Sequence, residues 1–356
     1  MNTTLGLTCI SEELKQKDKK EYSFRTMTRK RFIHLSETIG KNEAIKELSI
    51  RIHHNLIVTQ HIIRHCGDNN IKHYRVSSAL FPLITDPILG LNFNSLPNEK
   101  ILISELRMIG ILLMSHGISA SIHPDQFNVL ASLKQDSVEQ TIKELNFQAM
   151  ILDLMGLAKD HSCPMNIHIN CSLPSVNEKS FSELKICPES RENFLISEIA
   201  DRFYNNLMKC DDGVINRLTI ENEDKGFWNV DNVIKFSDYI FNKHNFNLPV
   251  CFDNLHHMCN PSEECSVKWQ AERCAYTWVN QNKTIEDDSH FIAPVFHWSE
   301  GKNDGTNNPR AHGDYFSYKN FPPIIAIEPN KEAKWECEVK AKDKAIRKLI
   351  NDFKMQ

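Results

Sequence analysis

Eight short apolar runs recur along the chain, and longer segments with helical periodicity lie between them. The runs cover residues 5–10, 73–77, 120–123, 165–168, 218–221, 250–253, 295–297 and 335–338. The segments whose apolar residues recur every three to four positions are 31–66, 98–115, 136–157, 189–208, 230–245, 262–280 and 340–353. A strand followed by a helix, repeated, predicts a parallel sheet. Eight strands with a helix after each predict an α/β protein, a single-domain (β/α)8 TIM barrel over residues 1–356.

Length and composition fit this fold. The chain has 356 residues, of which 41% are hydrophobic and 25% are charged, a balance ordinary for a globular protein. No apolar run approaches the ~18 residues that span a bilayer, and the polar start does not resemble a signal peptide; we therefore expect a protein that stays in the cytoplasm. We also expect a monomer. The 11 cysteines include no Cys-x-x-Cys pair, which predicts reduced thiols. A formal charge of −4 does not exclude a phosphodiester substrate, because bound divalent cations would offset it.

Candidate metal ligands stand at the C-terminal ends of the runs. From the third run onward, each run carries a His, Asp or Glu at or just after its end, whereas the first two runs lack an obvious ligand. A further histidine lies in the long loop that follows the seventh run. In chain order these residues are His123, His168, Glu221, Asp253, His256, His297, His312 and Glu338. The active site of a barrel is assembled from different strand ends at one face, so we expect these side chains to converge.

Five histidines and three carboxylates are more ligands than one ion can use. The set therefore predicts two or three divalent ions, and its nitrogen and oxygen donors suit Mn²⁺, Zn²⁺ or Fe²⁺. Ions held ~3.5–4 Å apart can hydrolyse a phosphate ester. Taken alone, a histidine at a strand end is more often a hydrogen-bonded structural residue, but the whole set together favours metal binding. Asp253-x-x-His256 is the most specific local pattern. Histidines on the predicted 31–66 helix are expected to face solvent, namely His53, His54, His61 and His65.

Nine ordered segments carry a resemblance to a known family. They are FRTMT at 24–28, YRVSS at 74–78, SIHPDQF at 121–127, LDLMG at 152–156, RLTIENEDK at 217–225, PVCFDNLHH at 249–257, HWS at 297–299, RAHGD at 310–314 and EVKAKDKA at 338–345. In these segments the chain resembles the UV damage endonucleases, relatives of endonuclease IV among the xylose-isomerase-like barrels. The resemblance implies nicking of duplex DNA immediately 5′ of a photolesion, which leaves a 3′-hydroxyl, with Mn²⁺ as the favoured ion.

The resemblance also implies roles for particular residues. The eight ligands above form its metal set, with catalysis assigned to Glu221, Glu338 and His256. The Gln126-Phe127 pair stands where the family has a Gln-Tyr pair that probes the damaged dinucleotide, and Phe keeps the aromatic face needed to unstack a distorted step. An aromatic core residue is the structural alternative for Phe127. Three basic residues in the matching segments are expected to bind the substrate, and they are Arg25, Lys225 and Arg310.

Three positions depart from the family pattern. Val295 replaces a lysine that can be carboxylated near the metals, Asp86 replaces a histidine, and Leu7 replaces an aromatic residue. These departures bear on lesion recognition and on the tuning of the site. An abasic-site endonuclease of the endonuclease IV type and a sugar isomerase or epimerase are the alternative enzymes, and a lesion-binding protein without catalysis is disfavoured because no ligand is missing.

Overall fold

The fold is an eight-stranded parallel barrel. A computed structural model describes residues 3–125, 127–171, 191–302, 308–317 and 320–354. The strands are β1 (Thr4–Thr8), β2 (His73–Val76), β3 (Ser119–Ile122), β4 (Met165–His168), β5 (Leu218–Glu221), β6 (Val250–Cys251), β7 (Val295–Trp298) and β8 (Lys334–Cys337). All pair in parallel, in the order β6-β5-β4-β3-β2-β1-β8-β7. A single bridge between Asp253 and His297, with the His297 N–H donating to the Phe252 carbonyl at 2.9 Å, brings the two edges together. The predicted TIM barrel is confirmed.

The helices of the described residues include at least one in each segment of predicted periodicity, together with four short helices that the periodicity did not predict. In chain order the helices are α1 (Glu12–Lys17), α2 (Lys19–Tyr22), α3 (Arg29–Ile39), α4 (Lys41–Asp68), α5 (Glu99–Ser115), α6 (Gln135–Leu154), α7 (Arg191–Leu207), α8 (Asp212–Ile215), α9 (Val230–His244), α10 (Asn254–Cys259), α11 (Val267–Tyr276) and α12 (Asp343–Lys354), with short 3₁₀ helices at Ser78–Leu80 and Phe93–Ser95. None of the helices in the described ranges is long and apolar enough to cross a bilayer.

Alternation along each strand separates an apolar outer face from a polar interior. On β8, Trp335 and Cys337 are fully buried and join the hydrophobic core, in which the outward strand residues pack with the helices. Between them Glu336 is buried as well, and it contacts groups of other strands inside the barrel. Successive side chains of a strand point to opposite faces, so each second residue enters the interior. This alternation carries the polar strand ends to one mouth of the barrel.

Two expectations about the helices are wrong. The predicted 31–66 helix is two helices, because Gly40 has φ of 90° and ends α3 before α4 begins; a positive φ is accessible to glycine and breaks helical geometry. A helix was also expected after every strand. The described residues between β7 and β8, which are 299–302, 308–317 and 320–333, contain none. The glycines and prolines of this loop explain the difference, since they favour irregular backbone.

His65 on α4 does not face solvent, contrary to expectation. Only 8% of the residue is exposed, and its Nε2 lies 2.9 Å from Asp343 Oδ2. The same carboxylate accepts from the Ser11 hydroxyl and, at 2.8 Å, from the Glu12 N–H. Asp343 therefore joins the beginnings of α1 and α12 to the end of α4. His53, His54 and His61 are each partly exposed.

The protein should lose stability as the pH falls, because of His161, a buried residue just before β4. Burial lowers its pKa from 6.5 to about 4, and its Nε2 is buried without a hydrogen-bond partner. The folded state therefore resists protonation that the unfolded state accepts, so stability present above pH 6.5 is lost as the pH falls towards 4. Between about pH 7.5 and about pH 5.5, this residue should remove roughly 1 kcal/mol of unfolding free energy.

Urea unfolding at the two pH values tests this expectation. The His161→Gln variant should lose less stability than wild type over the interval, because it carries no titrating group there. His34→Gln is the matched control, since His34 is exposed on α3. Equal pH dependence in all three proteins would contradict the assignment.

Candidate metal centre

Glu221 at the end of β5 is surrounded by four of the predicted histidine ligands. Its carboxylate is 1% exposed. Oε2 lies 3.0 Å from His123 Nε2 and 3.8 Å from His168 Nε2. Oε1 lies 3.2 Å from His256 Nδ1 and 3.0 Å from His297 Nδ1. One carboxylate thus faces side chains from the ends of β3, β4 and β7 and from α10, as expected for strand ends that meet at one face.

The Asp253-x-x-His256 spacing has a local structural cause. Asp253 caps helix α10, and its Oδ1 accepts the His256 N–H at 2.7 Å. Capping fixes the carboxylate and places His256 one helical turn away on the same side. The other oxygen, Oδ2, is buried and has no hydrogen-bond partner. It lies 3.7 Å from His297 Nδ1.

Glu338 follows β8 and completes the cluster. Its Oε1 lies 3.7 Å from His297 Nδ1, and the Arg75 guanidinium on β2 donates to the same oxygen. His312 contacts Glu338 differently, because its Nδ1–H donates to the Glu338 backbone carbonyl. His312 therefore lies beside the centre with Nε2 as the atom that could bind an ion.

Three groups of ligand atoms, each within 4.8 Å of one another, share members. They are His123, His168 and Glu221; Glu221, Asp253 and His256; and Asp253, His297 and Glu338. The structure thus brings together seven of the eight predicted ligands, with His312 at the edge. Glu221 and Asp253 each belong to two of these groups.

The charges of the cluster are unevenly distributed. Burial disfavours ionisation of Glu221, yet the facing His297 and His168 hold its pKa well below the usual range. Burial opposes protonation of His297 too, but Cys251 and Glu221 raise its pKa well above normal. Burial lowers the pKa of His168 to about 4. His168 is therefore neutral at physiological pH, which is the form of imidazole that binds a metal.

The donor set fits divalent cations. Burial raises the pKa of Asp253, and the nearby carboxylates of Glu221 and Glu338 raise it further. A divalent cation would offset the repulsion between these carboxylates and bind to the unpartnered Asp253 Oδ2. Buried carboxylates otherwise need another compensating charge. The centre contains imidazole nitrogens and carboxylate oxygens, donors that suit Mn²⁺, Zn²⁺ and Fe²⁺.

A cavity of about 360 Å³ opens beside the centre, and two of the predicted DNA-binding residues line it. Phe127, with His168 and His256, forms its walls, and Lys225 lies at its exposed side. Phe127 is 78% exposed, so it is not an aromatic residue of the core. Its side chain is free to stack on a base.

The other predicted substrate-binding residues lie elsewhere or outside the described residues. Arg310 is exposed, and its Nε lies 3.1 Å from Asp224 Oδ2, a carboxylate that lines the same cavity. Arg25 is not among the residues that line the cavity, and its backbone N–H donates to Asn55 Oδ1 at 2.7 Å. Gln126 lies outside the described residues.

The three departing residues have different surroundings. Val295 is 3% exposed at the start of β7 and offers no charged group. Leu7 is a fully buried core residue of β1. Asp86 Oδ2 accepts from Arg29 Nε at 2.7 Å, and its Oδ1 accepts from the Ile88 N–H at 2.9 Å. Asp86 is therefore engaged with the beginning of α3.

Sequence reasoning missed three interior residues: Arg75 on β2, Glu336 on β8 and Asn222 after β5. Arg75 Nη1 lies 3.1 Å from Glu336 Oε2, and the Asn222 amide holds the backbone of Asp253 by two hydrogen bonds of 2.8 and 3.0 Å. A signal was present for Glu336. It stands two positions before Glu338, and residues two apart on a strand face the same side.

The fold is a parallel barrel, and imidazoles and carboxylates cluster at the C-terminal ends of its strands. The protein is therefore of the class of barrel proteins with a site that could hold several metal ions. Within this class the chain belongs to the UV-endonuclease UvdE family, whose sequence profile matches residues 3–184 and 196–356. The family expected from the sequence is thereby confirmed.

Individual relatives cover nearly the whole chain. The chain is 28% identical over 351 residues to a UV DNA damage endonuclease of Nostoc sp.; the match covers 97% of this chain and 88% of the relative. It is 25% identical over 330 residues to the UV DNA damage endonuclease of Bacillus pumilus, with coverages of 92% and 88%. The crystal structure of SacUVDE has a TM-score of 0.71 and 23% identity, with 99% of this chain and 98% of that chain covered. At this identity the structural likeness supports the shared fold.

Proposed function

We propose that this protein is a metal-dependent endonuclease that nicks duplex DNA immediately 5′ of UV photoproducts, both cyclobutane dimers and 6-4 products. The observation that carries the proposal is the sharing of carboxylates, because Glu221 and Asp253 each belong to two of the three ligand groups. Such sharing favours two or three ions held ~3.5–4 Å apart. The donors favour Mn²⁺, with Zn²⁺ or Fe²⁺ as alternatives.

Hydrolysis of a phosphodiester fits this donor set. Ions bound here would polarise the phosphate and lower the pKa of a water molecule. In the overall reaction the water oxygen bonds to phosphorus and the P–O3′ bond breaks, which leaves a 3′-hydroxyl and a 5′-phosphate. We assign catalysis to Glu221, Glu338 and His256, which belong to the three ligand groups. Neutral His168 could bind an ion without first losing a proton.

Recognition of the lesion would use the cavity beside the centre. Damaged double-stranded DNA is the proposed substrate, bound by a protein monomer. Exposed Phe127 would insert at the distorted step, because a photolesion weakens stacking and lowers the cost of unstacking. Lys225 lies next to the cavity and would pair with a backbone phosphate. Arg310, tied to Asp224 at 3.1 Å, would add a second cation.

A nicking assay tests the proposal. Purified protein with Mn²⁺ would be incubated with a labelled duplex that contains one cyclobutane dimer, and the position of the cut would be mapped. We expect a cut immediately 5′ of the dimer, extension of the new 3′-end by a polymerase, and complete loss of cutting with EDTA. Undamaged and abasic-site duplexes run in parallel. Cutting of the abasic duplex alone, or full cutting in EDTA, would contradict the proposal.

A further inference from the structure

The imidazole of His297 lies between two groups of carboxylates. Its Nδ1 faces the predicted ion ligands, donates to Glu221 Oε1 at 3.0 Å and lies 3.7 Å from Glu338 Oε1. An ion bound at Nδ1 would take the place of the proton in this hydrogen bond. Its Nε2 faces the barrel interior and lies 3.3 Å from Glu336 Oε2. A neutral imidazole has one N–H and one lone pair, so the group that accepts the proton decides which nitrogen can bind an ion.

Three other candidate histidine ligands have this proton fixed by the backbone. In each, Nδ1–H donates to a carbonyl, which leaves Nε2 as the nitrogen that can bind an ion. The pairs are His123 with Pro124 at 2.9 Å, His256 with Asn222 at 2.9 Å, and His312 with Glu338. His297 has the opposite orientation, since its Nδ1 faces the ion ligands and a side-chain carboxylate lies behind it.

We propose that Glu336 is a positioning residue that accepts the Nε2–H of His297 and thereby makes Nδ1 the nitrogen that binds an ion. The inference rests on the metal centre of the proposed function. Glu336 Oε2 is buried and accepts no well-aligned hydrogen bond in the described structure. It is therefore an acceptor available to the proton that His297 must place on Nε2.

The other neighbours of Nε2 are poorer candidates for this role. Arg75 Nη1 makes a long hydrogen bond of 3.5 Å to Nε2, but it also donates to Glu338 and lies closer, at 3.1 Å, to Glu336. A guanidinium has no acceptor, so it cannot take the proton. The Cys251 thiol also interacts with His297. A thiol sulfur is a weak acceptor.

Glu336 is itself held rigidly within the barrel. Its Oε1 lies 3.0 Å from His73 Nε2 and also accepts from the Ser121 hydroxyl. Gly6 leaves room for the His73 ring, because a Cβ on Gly6 would lie 2.7 Å from His73 Cδ2. Arg75 Nη1, 3.1 Å from Oε2, holds the second oxygen. A carboxylate fixed in this way is the acceptor that orients metal-binding histidines in many proteins.

NMR of the protein loaded with ¹¹³Cd²⁺, a diamagnetic probe, and labelled with ¹⁵N-histidine tests the proposal. His297 is assigned by the signal that disappears in His297→Gln. In the wild type we expect coupling of cadmium to Nδ1 of His297 and a proton on Nε2. Glu336→Gln should weaken Cd²⁺ binding by about 10- to 100-fold and change the Nε2 proton signal, and Glu336→Asp should recover part of the affinity.

Glu105→Gln is the matched control, because Glu105 on α5 contacts Gln60 at 2.6 Å outside the barrel; it should bind Cd²⁺ like wild type. Coupling of cadmium to Nε2 of His297 in the wild type would overturn this inference and leave the metal centre intact. Unchanged Cd²⁺ affinity in folded Glu336→Gln would overturn it too. A wild type that binds neither Cd²⁺ nor Mn²⁺ would overturn the metal centre and this inference together. If Glu336→Gln does not fold, the wild-type spectrum decides.

Discussion

Glu221→Gln should abolish incision while the barrel stays folded. Glu221 is the carboxylate shared between two ligand groups, and its oxygens lie 3.0 to 3.8 Å from four imidazoles. An amide keeps the volume of the side chain but loses the charge that neighbouring ions would share. We expect the rate of nicking with Mn²⁺ to fall by about a thousandfold or more, at or beyond the effect of removing one group that stabilises charge in a transition state.

Circular dichroism and Mn²⁺ titration separate this effect from unfolding. Folded Glu221→Gln should bind Mn²⁺ more weakly than wild type, whereas Glu105→Gln, the same chemical change on α5, should nick and bind like wild type. Nicking within about tenfold of wild type by folded Glu221→Gln would contradict a shared metal ligand, because one order of magnitude is only about 1.4 kcal/mol of the activation barrier.

The strands and the ligand set could be predicted from the sequence because both depend on local pattern. Every predicted strand lies within two residues of an observed one, and β4 and β5 have the predicted bounds. Predicted ligands such as Glu221 are polar residues at the C-terminal end of an apolar run. In a parallel barrel all C-terminal strand ends lie at one face, so this position alone brings the ligands together.

Arg75 and Glu336 could not be recognised in the same way, since their role depends on which strands are neighbours. β8 pairs with both β1 and β7, and His297 stands directly opposite Glu336 in the register. Only this register places Glu336 behind His297. The prediction that His65 faces solvent was wrong for a related reason. The partner that it contacts, Asp343, lies far away in the sequence, at the beginning of α12.

Phe127→Ala should reduce discrimination between damaged and undamaged DNA more than it reduces metal binding. Phe127 is 78% exposed and lines the cavity next to His168 and His256, so its ring can stack at the step beside the ions. Stacking of a base on an aromatic side chain is worth about 1–3 kcal/mol. The ratio of kcat/KM for the dimer duplex over the undamaged duplex should therefore fall roughly tenfold to a hundredfold.

Two variants separate stacking from general damage to the protein. Phe127→Tyr keeps the aromatic face and should retain the discrimination of the wild type. Tyr276→Ala removes a ring that is 70% exposed on α11, and it should change neither the ratio nor the affinity for Mn²⁺. If Phe127→Ala lowered nicking of both duplexes equally, the ring would serve the centre or the fold and not recognition of the lesion. An inserted aromatic ring must increase nicking of the distorted duplex more than nicking of the regular one. The photolesion already weakens base stacking, so unstacking requires less free energy there.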